Sequence, residues 1–406
     1  MHVLFVAPHF PAYQRQFVRA LKAAGARVTG LGEAPLDMLP SELKAWLDGY
    51  EQVSSVCDDN AMYEAVRRIQ KQGWVDRMEA TIEAHMLTAA RVREACKIPG
   101  LTYEQTMLCR DKTVMKEFMR TNGIPCAQST AAETPQEVMD FAKKVGYPII
   151  LKPRSGAGAN ATWRVDSEKE LGPALQDTGV NRGVSTAVEE FIEGHEGFYD
   201  TLTVAGKIAH EFVSHYYPAV LEGMRTRWIS PVIITTNRIE ASGYDELKQM
   251  GQRVISKLGL HTAPTHMEWF ASPKGLKFSE IGARPPGVGQ WDLYCAANDI
   301  DLYKEWAYGI VHGKCPGKLS HNYSAAIINL RPNQDGKITG YSGVEAIEKK
   351  YGKWIIKYHI PPVGSPTQSI EAGYMANAWF QIKYPDYDDL RAILAEIGET
   401  VVIHAH

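Results

Sequence analysis

The sequence predicts a protein that combines α/β and α+β units: a doubly wound parallel sheet at the amino-terminal end, a small middle unit and an antiparallel carboxyl-terminal sheet. Three observations lead to this prediction. The chain has 406 residues, more than a single hydrophobic core usually serves. Short apolar strands alternate with amphipathic helices over the amino-terminal quarter. From Phe198 onward, longer β-rich segments flank glycine turns, which is typical of antiparallel hairpins.

The amino-terminal unit is assigned to residues 1–110. Residues 3–6 and 28–31 are apolar and predict strands, and the helix between them places Phe17 and Leu21 on one face. Regular alternation of strand and helix favours parallel strands that are covered by helices on both faces. A dinucleotide site would need Gly-x-Gly-x-x-Gly after the first strand, but residues 7–11 read Ala-Pro-His-Phe-Pro. The use of NAD or FAD is therefore disfavoured.

Residues 111–188 are assigned to a small second unit and residues 189–406 to a larger third unit with a carboxyl-terminal lobe. Apolar periodicity and Gly or Pro breakers give the expected elements of both units. They are a helix through Met119, a helix at 135–145, strands at 147–152, 162–165 and 186–191, a hairpin of 198–205 and 207–214 around Gly206, and a helix at 244–258.

Composition and charge exclude several classes of protein. The 44 Lys and Arg against 47 Asp and Glu give a formal net charge of −3, so no overall basic field attracts nucleic acid or an anionic membrane. The apolar start is too short for a signal sequence and no run reaches the length of a membrane span, which predicts a cytoplasmic protein. The six cysteines are scattered and are expected to be reduced; Cys295 is interpreted as a small packed hydrophobe rather than a nucleophile.

The first candidate site is an apolar strand that delivers Lys152 directly into a loop of small residues. Ser155, Gly156 and Gly158 allow backbone N–H groups to approach phosphate oxygens, and Lys152 supplies a compact positive charge. The loop lacks the Gly-Lys-Ser/Thr ending of a Walker loop. Taken alone, these residues are explained equally well by a flexible turn after an edge strand.

A second candidate site lies in residues 188–196, where an apolar strand ends in carboxylates and a glycine turn. Such a segment can place backbone groups along the edge of an adenine ring and direct a carboxylate to ribose hydroxyls, which donate hydrogen bonds. Taken alone, the segment is better explained as a solvated acidic strand end.

The most informative motif is the predicted hairpin of residues 265–281. If residues 273–275 form a three-residue loop with Gly275 in the left-handed conformation, Glu268 and Glu280 lie directly opposite each other on one face. Facing carboxylates repel unless a cation lies between them, and Mg²⁺ prefers oxygen ligands of this kind. The hairpin therefore predicts a divalent-metal site. The alternative, two solvent-facing glutamates, agrees poorly with their apolar neighbours.

Arg284 follows this hairpin in a loop rich in Pro and Gly. An arginine beside a metal site can meet a carboxylate or a transferring phosphoryl group with a preset fork of donors. Arg225 and Arg227 are further candidates for binding a substrate carboxylate, although exposed arginines at a strand end are the favoured alternative. His266 shares a strand face with Glu268, and a role in orienting substrate competes evenly with a structural role.

Taken together and in order, these motifs resemble the ATP-grasp superfamily, from the amino-terminal unit to beyond Gly289. The resemblance implies that the chain binds ATP with Mg²⁺ or Mn²⁺. Many members carry Asn two residues after the second metal-binding Glu, where this chain has Gly282, so the coordination of a second metal is left open. The implied residues are Lys112 and Lys152 for the phosphates, Glu189, Glu190, Phe191 and Ile192 for the adenine hinge, Glu196 for the ribose, and Glu268 and Glu280 for the metal.

Within the superfamily, the layout resembles the stand-alone carboxylate–amine ligases with a biotin-carboxylase-like core, including enzymes similar to L-amino acid ligases. The resemblance implies that a carboxylate accepts the γ-phosphoryl group of ATP and that an amine displaces phosphate, with Lys152 and Arg284 catalytic and the small unit closing as a lid. Two alternatives stay open: a related enzyme that activates formate, bicarbonate or a nucleotide intermediate, and a non-catalytic ATP-binding sensor. The expected partners are small molecules; a homodimer is expected only as the commonest assembly.

Overall fold

The computed structural model describes residues 1–155, 161–223, 226–287, 289–369 and 378–406. Within these ranges, one parallel sheet precedes a small and a large antiparallel sheet, and a two-stranded ladder accompanies the large one. This arrangement confirms the predicted fold class. No helix in these ranges is both long enough and apolar enough to cross a membrane.

The amino-terminal sheet is parallel and carries helices on both faces. Its elements are β1 (His2–Val6), α1 (Gln14–Ala23), β2 (Arg27–Gly32), α2 (Ser41–Trp46), β3 (Gly49–Gln52), α3 (Asp59–Gln70), β4 (Arg77–Glu79) and α4 (Met86–Ala95). The strand order is β3-β2-β1-β4. Because side chains alternate along a strand, Val3 and Phe5 of β1 pack with α1, whereas Leu4 and Val6 pack with α3 and α4. The predicted doubly wound sheet is thus confirmed.

The small sheet is antiparallel and follows two connecting helices. The elements are α5 (Tyr103–Leu108), α6 (Lys112–Thr121), β5 (Ser129–Ala132), α7 (Pro135–Val145), β6 (Ile149–Pro153), β7 (Trp163–Val165), α8 (Leu171–Thr178) and β8 (Thr186–Glu190), with strand order β5-β8-β6-β7. A capping box of Thr134 and Glu137 starts α7, and Gly146 ends it. The division of the chain at residues 110 and 188 stays a proposal; β8 runs across the second of these positions.

The large sheet has eight antiparallel strands in the order β13-β12-β9-β10-β11-β14-β17-β16. The predicted hairpin around Gly206 is present, with β9 and β10 as its strands. The elements are β9 (His195–Val204), β10 (Lys207–Tyr217), α9 (Val220–Gly223), β11 (Val232–Thr235), α10 (Asp245–Leu258), β12 (Ala263–Ser272), β13 (Gly275–Gly282), α11 (Gln290–Asn298), α12 (Leu302–His312), β14 (Ser324–Leu330), β15 (Ile338–Ser342), α13 (Val344–Tyr351), β16 (Ile355–His359), β17 (Ala378–Tyr384), α14 (Tyr387–Thr400) and β18 (Val402–Ala405); β15 pairs with β18.

An aromatic core joins the amino-terminal unit to the large sheet. Trp306 of α12 contacts Phe17 of α1 with the ring centroids 5.1 Å apart, and it contacts Phe5 of β1 at 6.3 Å. On the other side of α12, buried Glu305 accepts a hydrogen bond from Gly317 and lies 3.1 Å from buried His210 of β10. These contacts hold the carboxyl edge of the parallel sheet beside the antiparallel one, where the candidate site lies.

Candidate active site

The start of α6 is tied to the end of β6, and this tie brings Lys112 and Lys152 together. Asp111 caps α6 by accepting hydrogen bonds from two backbone N–H groups of the first turn. The same carboxylate pairs with Arg154, whose Nη2 lies 2.8 Å from Asp111 Oδ2. In addition, the Lys112 N–H donates to the Arg154 carbonyl at 2.9 Å. The two lysines, 40 positions apart in the chain, therefore start from neighbouring backbone.

The hairpin of β12 and β13 places Glu268 directly opposite Glu280, as predicted. The predicted loop is wrong, however, because Ser272 pairs with Gly275 and leaves only residues 273 and 274 between them. A bulge compensates: the register shifts after Glu268, and Ser279 is the extra residue of β13. Without the bulge, this shorter loop would pair Glu268 with Ser279 and turn Glu280 to the opposite face. Gly275 does have the expected left-handed backbone, with φ of 94°.

Three lysines converge on two carboxylates in the interior. Glu280 Oε2 lies 3.4 Å from Lys112 Nζ and 3.7 Å from Lys152 Nζ. Glu189 Oε2 lies 3.0 Å from Lys152 Nζ and also accepts a hydrogen bond from Lys116. Burial opposes the charge on Glu280, but the lysines outweigh burial and lower its pKa to about 2. Burial also opposes the charge on Lys152, yet Glu189 and Glu280 raise its pKa. Glu280 and Lys152 are thus both charged at neutral pH.

Further carboxylates lie on the other side of this cluster. Glu196, at the start of β9, is 8% exposed and accepts a hydrogen bond from the Val220 N–H at 2.7 Å. Burial, followed by the charge of Glu268, raises the pKa of Glu196 to about 8. A cation near Glu268 would relieve this repulsion and lower that pKa. Burial and the repulsion from Glu268 therefore both disfavour the charged form of Glu196.

His266 lies beside Glu268 on β12 and is held from the neighbouring strand. Its Nδ1 is 2.7 Å from Asp200 Oδ1, and its Nε2 is 3.7 Å from Glu268 Oε1. Tyr294 of α11 donates to the second oxygen of Asp200 at 2.6 Å. Burial lowers the pKa of His266, but Asp200 and Glu268 outweigh it and raise the pKa to about 9. His266 is consequently an imidazolium at neutral pH.

Arg284 connects this cluster to the amino-terminal unit. Its Nε donates to Glu83 Oε2 at 2.6 Å, and Arg110 Nη1 donates to Glu83 Oε1 at 3.2 Å. Glu83 lies between β4 and α4, at the carboxyl edge of the parallel sheet. One cavity is bordered by side chains from the amino-terminal unit, α6 and the hairpin, which include Glu83, Arg110, Lys112, His266, Glu280 and Arg284.

The sequence profile of the ATP-grasp domain matches residues 117–299, which contain Lys152, Glu189, Glu268 and Glu280. The chain therefore contains an ATP-grasp domain. Over 251 residues it is 27% identical to the L-arginine-specific L-amino acid ligase of Bacillus subtilis, and the aligned part is 60% of each protein. The chain therefore spans about three fifths of the length of this relative.

Two solved structures illustrate that the fold is shared along the whole chain. The L-amino acid ligase from Bacillus licheniformis gives a TM-score of 0.77 at 18% identity, covering 100% of this chain and 98% of that protein. The N5-carboxyaminoimidazole ribonucleotide synthetase from Thermotoga maritima gives 0.67 at 16% identity, covering 100% and 99%. At these identities the likeness is one of fold.

The facing carboxylates of the hairpin suit the divalent cation that the resemblance to ATP-grasp proteins implies. Glu268 and Glu280 offer carboxylate oxygens, the ligands that Mg²⁺ and Mn²⁺ prefer. A second sign of fit is Glu189, whose Oε1 is buried and has no hydrogen-bond partner among the described residues. The carboxylate oxygens of the hairpin thus suit a divalent cation, and the lysines suit an anionic ligand beside it.

The remaining predicted residues are placed less uniformly. Glu190 accepts a hydrogen bond from Gln128 at 3.2 Å, away from the lysines, and Phe191 lies under the guanidinium of Arg164 at 4.3 Å. Ile192 is half-buried and Ser155 is exposed. Gly156, Gly158 and Arg225 lie outside the described residues.

Arg227 is not part of the lysine–carboxylate cluster. Its Nη2 forms an ion pair with Asp335 at 2.6 Å, beyond β14, and Asp335 is itself largely exposed. The side chain of Arg227 is 21% exposed, so it is not the exposed strand-end arginine of the alternative, and its pairing with Asp335 favours a structural role over a substrate contact.

Sequence reasoning missed four residues of the site: Lys116, Glu83, Asp200 and Tyr294. A signal existed for Lys116, because it follows Lys112 by four residues and so lies on the same face of α6, next to buried Met115 and Met119. Asp200 is an acidic residue in the middle of an otherwise buried strand, which is a weaker signal. Nothing local in the sequence distinguishes Glu83 or Tyr294.

Proposed function

We propose that the chain is an ATP-dependent ligase that joins a carboxylate, an amino acid in the favoured case, to an amine through an acyl phosphate. The observation that carries the proposal is the convergence of Lys112 and Lys152 with the facing pair Glu268 and Glu280, beside Arg284. The names of the two L-amino acid ligases to which the chain is similar support the substrate class.

The proposed reaction has two steps. An oxygen of the substrate carboxylate attacks the γ-phosphorus of ATP, the bond to the bridging oxygen breaks, and ADP leaves. The amine then attacks the acyl carbon, the bond from that carbon to the phosphate oxygen breaks, and the amide, phosphate and a proton are released. Water competes with the amine for the acyl phosphate, so the site has to be closed during both steps.

The lysines are proposed to bind the phosphates of ATP. In this structure Glu280 and Glu189 neutralise Lys112 and Lys152, so an incoming phosphate has to replace carboxylate contacts. Lys152 lies between the two carboxylates. It is proposed to stabilise the negative charge that develops on the leaving ADP. The segment 155–158 and the strand end at Glu190 to Ile192 are proposed to contact the phosphates and the adenine, and Glu196 the ribose.

Glu268 and Glu280 are proposed to hold Mg²⁺ or Mn²⁺, which when bound supplies positive charge against the phosphate oxygens. Arg284 is proposed to contact the substrate carboxylate and the acyl phosphate. Its position is set by Glu83 at 2.6 Å, so the guanidinium is already oriented before substrate arrives. His266 borders the same cavity and is proposed to face the substrate.

The proposal is tested by phosphate release from ATP in the presence of Mg²⁺ and pairs of amino acids, with formate and bicarbonate assayed separately. Release that requires two amino acids, together with a product one water lighter than their sum, supports the ligase. Release with bicarbonate or formate alone would favour the related enzymes that activate small acids. ADP binding without release under any condition would favour a sensor.

Two variants test the site itself against a matched control. Lys152→Met and Glu280→Gln should each reduce turnover by at least about 100-fold, because the first removes a positive charge beside the reacting phosphates and the second removes a ligand of the proposed metal. Glu399→Gln removes an exposed carboxylate on α14 and should leave turnover unchanged. Equal activity of all three variants would reject the assignment. Size-exclusion chromatography of the wild-type protein tests the predicted homodimer.

A further inference from the structure

A chain of two hydrogen bonds and one ion pair runs from Tyr294 of α11 to Glu268, and its first two members, Tyr294 and Asp200, take no direct part in the proposed chemistry. Tyr294 is fully buried, and its hydroxyl donates to Asp200 Oδ2 at 2.6 Å. The other carboxylate oxygen, Asp200 Oδ1, accepts from His266 Nδ1 at 2.7 Å. His266 Nε2 then lies 3.7 Å from Glu268 Oε1. The three contacts use different atoms of Asp200 and His266, so together they connect Tyr294 to Glu268 without competing with one another.

Packing restricts the orientation of every member of this chain. Asp200 and His266 are directly paired residues of β9 and β12, so their side chains leave the sheet side by side. The ring of Phe198 meets the imidazole of His266 edge-on at 4.8 Å. The ring of Phe212 stacks on Tyr294 at 4.1 Å with an interplanar angle of 7°. Rings held in this way keep a single rotamer, which keeps Nε2 of His266 directed at the same place.

The two proposed metal ligands are held by different means. Glu280 is held by Lys112 and Lys152, which belong to α6 and β6. In the part of the chain that the structure describes, Glu268 has one ion-pair partner, His266, on its own strand. The orientation of Glu268 therefore depends on its ion pair with His266 and on the residues hydrogen-bonded to His266, rather than on the lysines.

We infer that Tyr294 and Asp200 are positioning residues, which act through His266 to hold Glu268 in the orientation that a divalent cation needs. The inference rests on the proposed function, because Glu268 matters in this way only if the site takes a metal. Carboxylate ligands of metals are commonly held by outer hydrogen-bond partners, and loss of such a partner lowers metal affinity or activity about 10- to 100-fold.

Tyr294→Phe tests the inference with the least disturbance, because it removes one hydroxyl and keeps the stacked ring. Calorimetry would measure the binding of ADP over a series of Mg²⁺ concentrations, with no turnover required. The half-saturating Mg²⁺ concentration is expected to rise about tenfold. The affinity for ADP without metal is expected to stay the same, since the lysines proposed to bind the phosphates are not part of the chain.

Tyr303→Phe is the matched control. Tyr303 is 5% exposed, lies on the neighbouring helix α12, and donates to Asp292 Oδ1 at 3.0 Å. Like Tyr294→Phe, this change removes a hydroxyl that donates a hydrogen bond to an aspartate. Among the residues that the structure describes, however, no hydrogen bond or ion pair connects Asp292 to Glu268. The control should lose stability to a similar extent and keep the Mg²⁺ dependence of the wild type.

The outcomes separate this inference from the proposed function. If Tyr294→Phe and Tyr303→Phe both keep the wild-type Mg²⁺ dependence, the contacts of Tyr294 and Asp200 are merely structural and the inference is overturned. If the wild type itself binds ADP without any effect of Mg²⁺, the proposed metal site fails, and the inference fails with it. Asp200→Asn provides a second variant with the same expected direction; a melting temperature near that of the control identifies a folded protein.

Discussion

Replacing Lys116 by Met should destabilise the protein, although Lys116 is given no role in the proposed chemistry. Lys116 is 1% exposed and donates to Glu189, which is 4% exposed. Removing one partner of a buried ion pair typically costs about 3–5 kcal/mol, because the other charge loses its compensation. Lys152 still lies 3.0 Å from the same oxygen of Glu189, so we expect the lower end of that range, about 3 kcal/mol. Urea unfolding measures the loss.

Lys143→Met supplies the comparison. Lys143 also pairs with a carboxylate on a helix, at 3.6 Å from Asp140, but its side chain is 73% exposed. Exposed pairs contribute less than about 1 kcal/mol, so the two variants should differ by about 2 kcal/mol or more. Lys116→Met should also weaken ADP binding, because Glu189 then relies on Lys152 alone. Equal and small losses of stability in both variants would refute the argument from burial.

Three other changes have defined outcomes. Burial, aided by nearby basic groups, lowers the pKa of His215 to about 3. The imidazole of the unfolded protein, with a pKa of about 6.5, therefore binds a proton near pH 5 that the folded protein does not bind. The free energy of unfolding is expected to fall by about 2 kcal/mol from neutral pH to pH 5. His215→Gln should lose this pH dependence, as measured by urea unfolding at the two pH values. Arg284→Lys keeps the charge but loses the planar fork, and kcat/KM for ligation should fall at least about tenfold, or 1.4 kcal/mol. In Gly251→Ala the new Cβ would lie 2.3 Å from the Tyr199 ring, and the free energy of unfolding should fall by about 1–3 kcal/mol as measured by calorimetry. In Gly172→Ala the new Cβ meets nothing within 4 Å, so this control should keep its stability.

The fold could be predicted from the sequence where neighbouring residues formed a recognisable pattern. Alternating apolar patterns gave the parallel sheet, and Gly206 gave the hairpin of β9 and β10. The pairing of Glu268 with Glu280 was also predicted, although from the wrong loop. A bulge at Ser279 offsets the shorter loop by one residue, and a bulge leaves no strong mark in a single sequence because any small residue can occupy it. The pairing was therefore predicted correctly because two errors cancelled: the predicted loop was one residue too long, and the bulge was not predicted.

The site could be predicted less completely, because its geometry depends on partners that are distant in the chain. Glu83 and Arg284 are separated by 201 positions, and Asp200 and Tyr294 by 94. Motif reasoning finds residues whose neighbours in sequence form a pattern, and it found the proposed ligands of ATP and metal for that reason. The residues that orient those ligands contact them only after the sheets are assembled, so their role is visible in distances and burial alone.

The internal ion pairs of the site have a consequence for how its ligands must bind. Glu280 pairs with both lysines and is also the proposed metal ligand, and both lysines pair with carboxylates and are also the proposed phosphate ligands. A phosphate that engages Lys112 and Lys152 frees Glu280 to bind a cation, and a cation on Glu280 frees the lysines to bind phosphate. Each event removes a competitor of the other, so the two affinities must rise together and by the same factor. The ion pairs between these lysines and Glu280 thus favour the binding of nucleotide and metal together over the binding of either one alone.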